Sequence, residues 1–154
     1  MGYNIIDILD KAVDIAHNRK RLYTEIGNQE DQSPAVKILA KVLAENADKT
    51  FLLYKKLKKE VTNNEMEVID FSIYDKISFL ISQFNLRIHT VDIHTSKEFI
   101  EFSLDFEGEI LALFLDIQGR LIKTSEDSNS TAYLILSDII KTKNKLINDL
   151  EMHN

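Results

Sequence analysis

With 154 residues, 44% hydrophobic and 29% charged, the chain has the size and balance of one soluble globular domain that can bury an ordinary core. Cysteine is absent, which removes disulfides, thiolate catalysis, iron–sulfur ligation and cysteine-bearing zinc sites together. A net charge of −6 excludes a general affinity for nucleic acid or anionic lipid, and no apolar run approaches the roughly 20 residues that cross a bilayer.

Asp7 and Asp10 stand where a secretion signal needs a basic start and a continuous apolar stretch, so a cytoplasmic location is expected. Only four Gly and one Pro occur, which favours long uninterrupted elements over tight turns. The first element spans residues 4–27. Ile5, Ile6, Leu9, Val13, Ala16, Leu22, Tyr23 and Ile26 recur at the three-and-four spacing of an amphipathic helix. Gly27-Asn28 is the expected stop, since both residues tolerate the left-handed conformation.

The second helix covers 34–62. Ser33 supplies an N-cap hydroxyl and Pro34 takes the first helical position, where its missing N–H costs nothing. Its stripe runs through Val36, Leu39, Ala40, Leu43, Ala47, Thr50 or Phe51, Tyr54, Leu57 and Val61, and fades in Thr62-Asn63-Asn64. Residues 65–94 follow, too long for a simple turn between antiparallel neighbours. They contain a short amphipathic piece (Ile73, Ile77, Leu80, Ile81, Phe84) and then Ile88, Val91 and Ile93, whose alternation predicts an extended strap.

The third long helix, 96–121, opens on the capping box Thr95-Ser96-Lys97-Glu98. Its stripe is Phe99, Ile100, Ser103, Phe106, Ile110, Leu113, Phe114 and Ile117, and Glu107 falls on or beside it. Gly108 stands in mid-helix, where it costs roughly 1 kcal/mol against Ala; close approach of another helix or subunit would explain it, as would a tolerated defect. After a polar turn at 124–130, the last helix (130–152) carries Tyr133, Leu136, Ile139, Ile140, Ile147 and Leu150, with Lys143 on the same stripe. The expectation is a single all-α domain over 1–154, a four-helix bundle of two helical hairpins joined by a long crossover that contains a short helix.

That order of elements resembles the rubrerythrin-like branch of the ferritin-like superfamily. The segment Thr95–Phe114 is similar to the family's third helix, where a Glu ligand is followed seven positions later by an aromatic, as Glu107 is by Phe114. In the first helix Ala16 stands seven residues before Tyr23, where the family has a Glu. In Leu43–Thr50 the same register puts Ala47 and Thr50 at the Glu and His of a Glu-x-x-His pair. Ile140-Lys141-Thr142-Lys143 falls where the second pair would be, with Lys143 at a missing His. The resemblance implies a ferritin-like bundle in which Glu107 alone remains of six di-iron ligand positions.

Glu107 has three readings. It points to solvent at the stripe's edge; or it is buried and paired with a cation, Lys143 or Lys20; or it binds a metal completed by water or a second subunit. A buried carboxylate without such compensation loses several kcal/mol of hydration. Other metal candidates are weaker. Asp14 and His17 share a face at i,i+3 but lie beside the stripe, and His89 and His94 flank Asp92 in the crossover without a fourth ligand. The basic clusters Arg19-Lys20-Arg21 and Lys55-Lys56-Leu57-Lys58-Lys59 read as solvated helix faces, and the aromatics as core.

Three functions are compatible with these residues. The preferred one is a non-catalytic bundle that has lost its metal ligands and acts in binding or assembly, as a homodimer, with no cofactor, nucleic acid or membrane. The second is a peroxidase- or ferroxidase-type oxidoreductase with an atypical iron or other divalent-metal site built from Glu107, Asp14, His17 and Asn46. The third is a small-molecule binder whose cavity, lined by Ala16, Ala47 and Thr50, occupies the former metal position.

Overall fold

The computed structural model describes residues 2–62, 67–122 and 130–153. Among them the chain is all-helical, with five helices: α1 (Ile5–Gly27), α2 (Pro34–Thr62), α3 (Phe71–Arg87), α4 (Ser96–Leu121) and α5 (Thr131–Glu151). All five starts carry local signals, with Ser33 accepting from the Val36 N–H before α2 and Asp70 from the Ser72 N–H before α3. Asn4 Oδ1 accepts from the Ile6 N–H at 2.9 Å while the Asp7 carboxylate accepts from the Asn4 N–H at 2.8 Å, a reciprocal cap on α1. Thr95 caps α4 by accepting from the Glu98 N–H and Ser130 caps α5 by accepting from the Tyr133 N–H, each through its hydroxyl. The fade at residues 63–64 and the turn at 124–129 lie outside the described residues.

Two antiparallel hairpins result. Asp10 meets Lys58 at 2.8 Å, Lys20 meets Asp48 at 3.1 Å, and Gly27 faces Ala40, so α1 and α2 run in opposite directions. A Cβ on Gly27 would stand 3.1 Å from the Ala40 Cβ, so close approach of the two helices, and no left-handed turn, is what this glycine serves. Asn28 has φ −96°; the left-handed residue of the loop is Asp31, at φ 57°. α4 and α5 also run antiparallel, with Gln118 bonded to the Tyr133 carbonyl and the Ser137 hydroxyl near one end and Glu107 to Lys143 further along.

The short amphipathic piece of the crossover is a full helix, α3, packed chiefly on α1 and more sparsely on α4. Tyr3 pairs with Ile69 in an isolated antiparallel bridge and stacks on Tyr74 at 3.8 Å, pinning the N-terminal residues to the start of α3. The strap after α3 is held by polar side chains of the α1–α2 loop. Gln29 Nε2 donates to the Val91 carbonyl and the buried Gln32 to the Ile93 carbonyl, each at 2.7 Å. Those bonds satisfy extended backbone that no helix could. Buried apolar side chains from all five helices form one core cluster.

Candidate functional site

The core is not wholly apolar. Arg19, Ser103, Glu107 and Lys143 are buried within it, with Gln32 at its edge, and Glu107 is 0% and Arg19 1% exposed. Of the readings of Glu107, the structure selects the buried carboxylate paired with cations. Arg19 grips it side-on: Nε donates to Oε2 at 3.0 Å and Nη2 lies 2.9 Å from Oε1. Lys143 Nζ donates to Oε1 at 2.7 Å, and the Tyr23 hydroxyl donates to Oε2 at 3.0 Å. Both carboxylate oxygens therefore carry two donors each.

Helix periodicity explains why these groups meet. On α1, the buried positions Ile15, Ala16, Leu22, Tyr23 and Ile26 bracket position 19, so the Arg19 side chain must enter the core. On α4, Phe106 and Ile110 are buried on the same face as Glu107, and on α5 Lys143 follows Ile139 and Ile140. Arginine suits this position because its planar fork matches a carboxylate and leaves further N–H groups to spare. Nη2 also donates to Asn46 Oδ1 at 2.9 Å and Nη1 to Thr50 Oγ1 at 3.2 Å, which ties α2 into the cluster. Aromatic rings wall it: Tyr23 lies 5.9 Å from Phe106, edge-on, and Tyr54 packs against Phe114.

Burial alone would raise the Glu107 pKa, but the charges and hydrogen bonds of Arg19 and Lys143 override it and hold the carboxyl down at about 2. Burial pulls the Lys143 ammonium down from its ordinary value; Glu107 opposes this, Arg19 reinforces it, and the result is about 8. Burial also works against the Arg19 cation, yet Glu107 and the neighbouring phenols leave it raised. Burial and the Glu107 charge push the Tyr23 phenol well up, and burial does the same for Tyr54. At neutral pH the cluster is thus two cations, one carboxylate and neutral phenols.

Several expectations need correction. Arg19 is not part of a solvated basic face; only Lys20 and Arg21 are exposed there, and Lys20 pairs with Asp48 instead of Glu107. The side chain that completes the pair came from the neighbouring position. Ala16 and Ala47 are buried in the core and line none of the described pockets, and Thr50 is engaged by the Arg19 guanidinium, which also bonds Asn46. Asp14 and His17 are exposed, the His17 ring resting 4.8 Å from Phe51. His89 and His94 are exposed too, and His89 Nδ1 lies 2.9 Å from the Arg87 carbonyl. No group of three or more His, Cys, Asp or Glu positioned to hold a metal occurs among the described residues. A Cβ on Gly108 would meet nothing within 4 Å, so no helix of this chain requires that glycine.

A second feature lies on the other side of α4. A groove of about 800 Å³ runs between α3, the strap and α4, floored by Leu22, Phe84, Phe102 and Phe106 and edged by Asp105 and Glu109. Phe84, Phe106 and Phe102 stack in sequence with centroids 6.2 and 5.9 Å apart. Compared with protein-family models, with curated proteins and with solved structures, the chain matches none.

Proposed function

We propose that this protein is a non-catalytic bundle of the ferritin-like kind in which an ion cluster replaces a di-metal site, and that it acts in binding or assembly as a homodimer. The observation that carries this reading is the saturation of Glu107. Its two oxygens are occupied by Arg19, Lys143 and Tyr23, and displacing those donors to ligate a metal would strand two buried cations. The hairpin–crossover–hairpin order supports the ferritin-like part. The assembly part is supported by α2, where Ile38, Val42 and Leu52 share one face and are each more than half exposed.

Metal analysis of purified protein and a sedimentation series test the two parts. The expected results are no stoichiometric iron, manganese or zinc, no rise in melting temperature when these ions are added, and a dimer whose dissociation is promoted by Val42→Glu. Stoichiometric metal would instead support an oxidoreductase, and a monomer at all concentrations would end the assembly reading. The groove favours a second reading, a small-molecule binder, since its volume falls in the range of ligand sites of about 300–1,000 Å³. Its location differs from the one expected, because it lies between α3 and α4 and is not lined by Ala16, Ala47 or Thr50.

A further inference from the structure

The ion cluster does not balance its own charge. Arg19 and Lys143 bring two cations and Glu107 one anion, while Tyr23 and Tyr54 are neutral phenols. The sum is one buried positive charge, which is costly in a medium that cannot solvate it.

Donors are also left over, on residues that share one cavity. Lys143 is 5% exposed and uses one of its three N–H groups, on Glu107. Asn46 accepts from Arg19 through Oδ1, and its Nδ2 has no partner among the described residues. Tyr54 is 2% exposed, and its hydroxyl likewise has no partner there. Thr50 is different, since its hydroxyl already donates to the Asn46 carbonyl and accepts from Arg19.

Asn46, Thr50, Tyr54, Thr142 and Lys143 line one small cavity at the seam of α2 and α5, together with the apolar Leu53, Ile139 and Leu146. It has room of about 20 Å³, somewhat more than the minimum for one water molecule and enough for a single small particle. A water there would accept hydrogen bonds but would bring two more protons into a place already rich in donors, and it would leave the charge uncompensated. A small anion does both tasks: it accepts from several donors and cancels the excess charge.

We propose that this cavity is a binding site for one small monovalent anion of chloride size, held by Lys143, Tyr54 and Asn46. The cavity selects against larger oxyanions such as sulfate by volume. The exposed Thr142 and the half-buried Asn46 and Thr50 mark the side from which the ion enters. The site is independent of whether the protein is a dimer and of what occupies the groove.

Thermal unfolding of the full chain at fixed ionic strength, with bromide or chloride replacing gluconate, tests the assignment. The wild type should gain melting temperature saturably with either halide, whereas sulfate at matched ionic strength should give no saturable step. Lys143→Met should abolish the halide response. Because that variant also disturbs Glu107, Tyr54→Phe is the second arm: it removes only a hydroxyl and should weaken the halide midpoint by about tenfold, the scale of one hydrogen bond to a charged group. Crystals grown in bromide should show one anomalous peak within hydrogen-bond distance of Lys143 Nζ. An equal halide response in the wild type and Tyr54→Phe would overturn the proposal, as would an ordered water in place of bromide.

Discussion

The two faces of α4 treat acidic residues in opposite ways. Glu107 points into the bundle, where Arg19, Lys143 and Tyr23 occupy both its oxygens. Two residues earlier and later, Asp105 and Glu109 edge the α3–α4 groove, exposed and without an ion pair among the described residues. The difference follows from how each face is covered. On its inner side α4 packs against α5 and α2, and the Arg19 and Tyr23 side chains of α1 reach it, so a charge there must bring its own partners. α3 leans mainly on α1 and leaves the outer side of α4 open to water, which solvates acids for nothing. Identical chemistry two residues apart is therefore structural in one place and dispensable in the other.

The largest test of that contrast is Glu107→Ala. It strands Arg19 and Lys143 and should cost about 3–5 kcal/mol in chemical denaturation; a near-neutral result would erase the distinction between the two faces. Replacing the whole cluster at once (Arg19→Met, Glu107→Leu, Lys143→Met) should recover most of that loss, since apolar substitutes of similar volume are often neutral or stabilising.

The pH dependence of stability follows next. The Glu107 pKa is depressed to about 2 from an ordinary 4.5, so its contribution is complete above about 4.5 and disappears as the pH falls toward 2. That is a loss of roughly 3 kcal/mol for a shift of this size, and Glu107→Gln should not show it. Lys143 has the opposite sign. Its pKa is lowered to about 8 from 10.5, so the unfolded chain holds that proton more tightly, and stability should rise as the pH goes from 8 towards 10.5. Above pH 10 the raised pKa values of Tyr23 and Tyr54 turn the trend downward, because the unfolded chain then releases phenolic protons that the folded chain keeps. Lys143→Met should flatten the rise and leave the later fall.

Smaller effects sharpen the comparison. Ser103, one turn before Glu107, buries a hydroxyl that has no hydrogen-bond partner among the described residues. Ser103→Ala should be neutral or stabilising, by up to about 1 kcal/mol in a melt, because it removes an unpaired polar atom. On the groove side, Asp105→Asn and Glu109→Gln should each change stability by less than about 0.5 kcal/mol.

Much of the fold was legible because long helices announce themselves. The start of α2 at Pro34 and the Thr95 cap of α4 were set by local chemistry that needs no tertiary contact. α3 was foreseen only as a short piece, since its outer face carries the exposed Phe79 and Leu86 and blurs the period. In the site, Glu107 and Lys143 stood out as charges on apolar stripes. Arg19 does not, because it begins a run of three basic residues and shares the look of a solvated face with Lys20 and Arg21. Its signal was present in the register: position 19 completes the series Ile15, Ala16, Leu22, Tyr23 and Ile26. The roles of Tyr23, Asn46 and Tyr54 had no such signal, since an ordinary core aromatic or a helix-side amide has the same spacing.

The sequence by itself determined the helical periodicities, most of their caps, and that one carboxylate and one lysine fall on or beside apolar stripes. Those properties depend on residues three or four apart, which any helix brings together. Only the tertiary structure decided that Arg19 supplies the second cation, that it ties Asn46 and Thr50 of α2 to Glu107, and that Asn46, Tyr54 and Lys143 share the lining of a small cavity. Those facts depend on how deeply two helices approach and on which of two adjacent side chains reaches inward, and packing sets both.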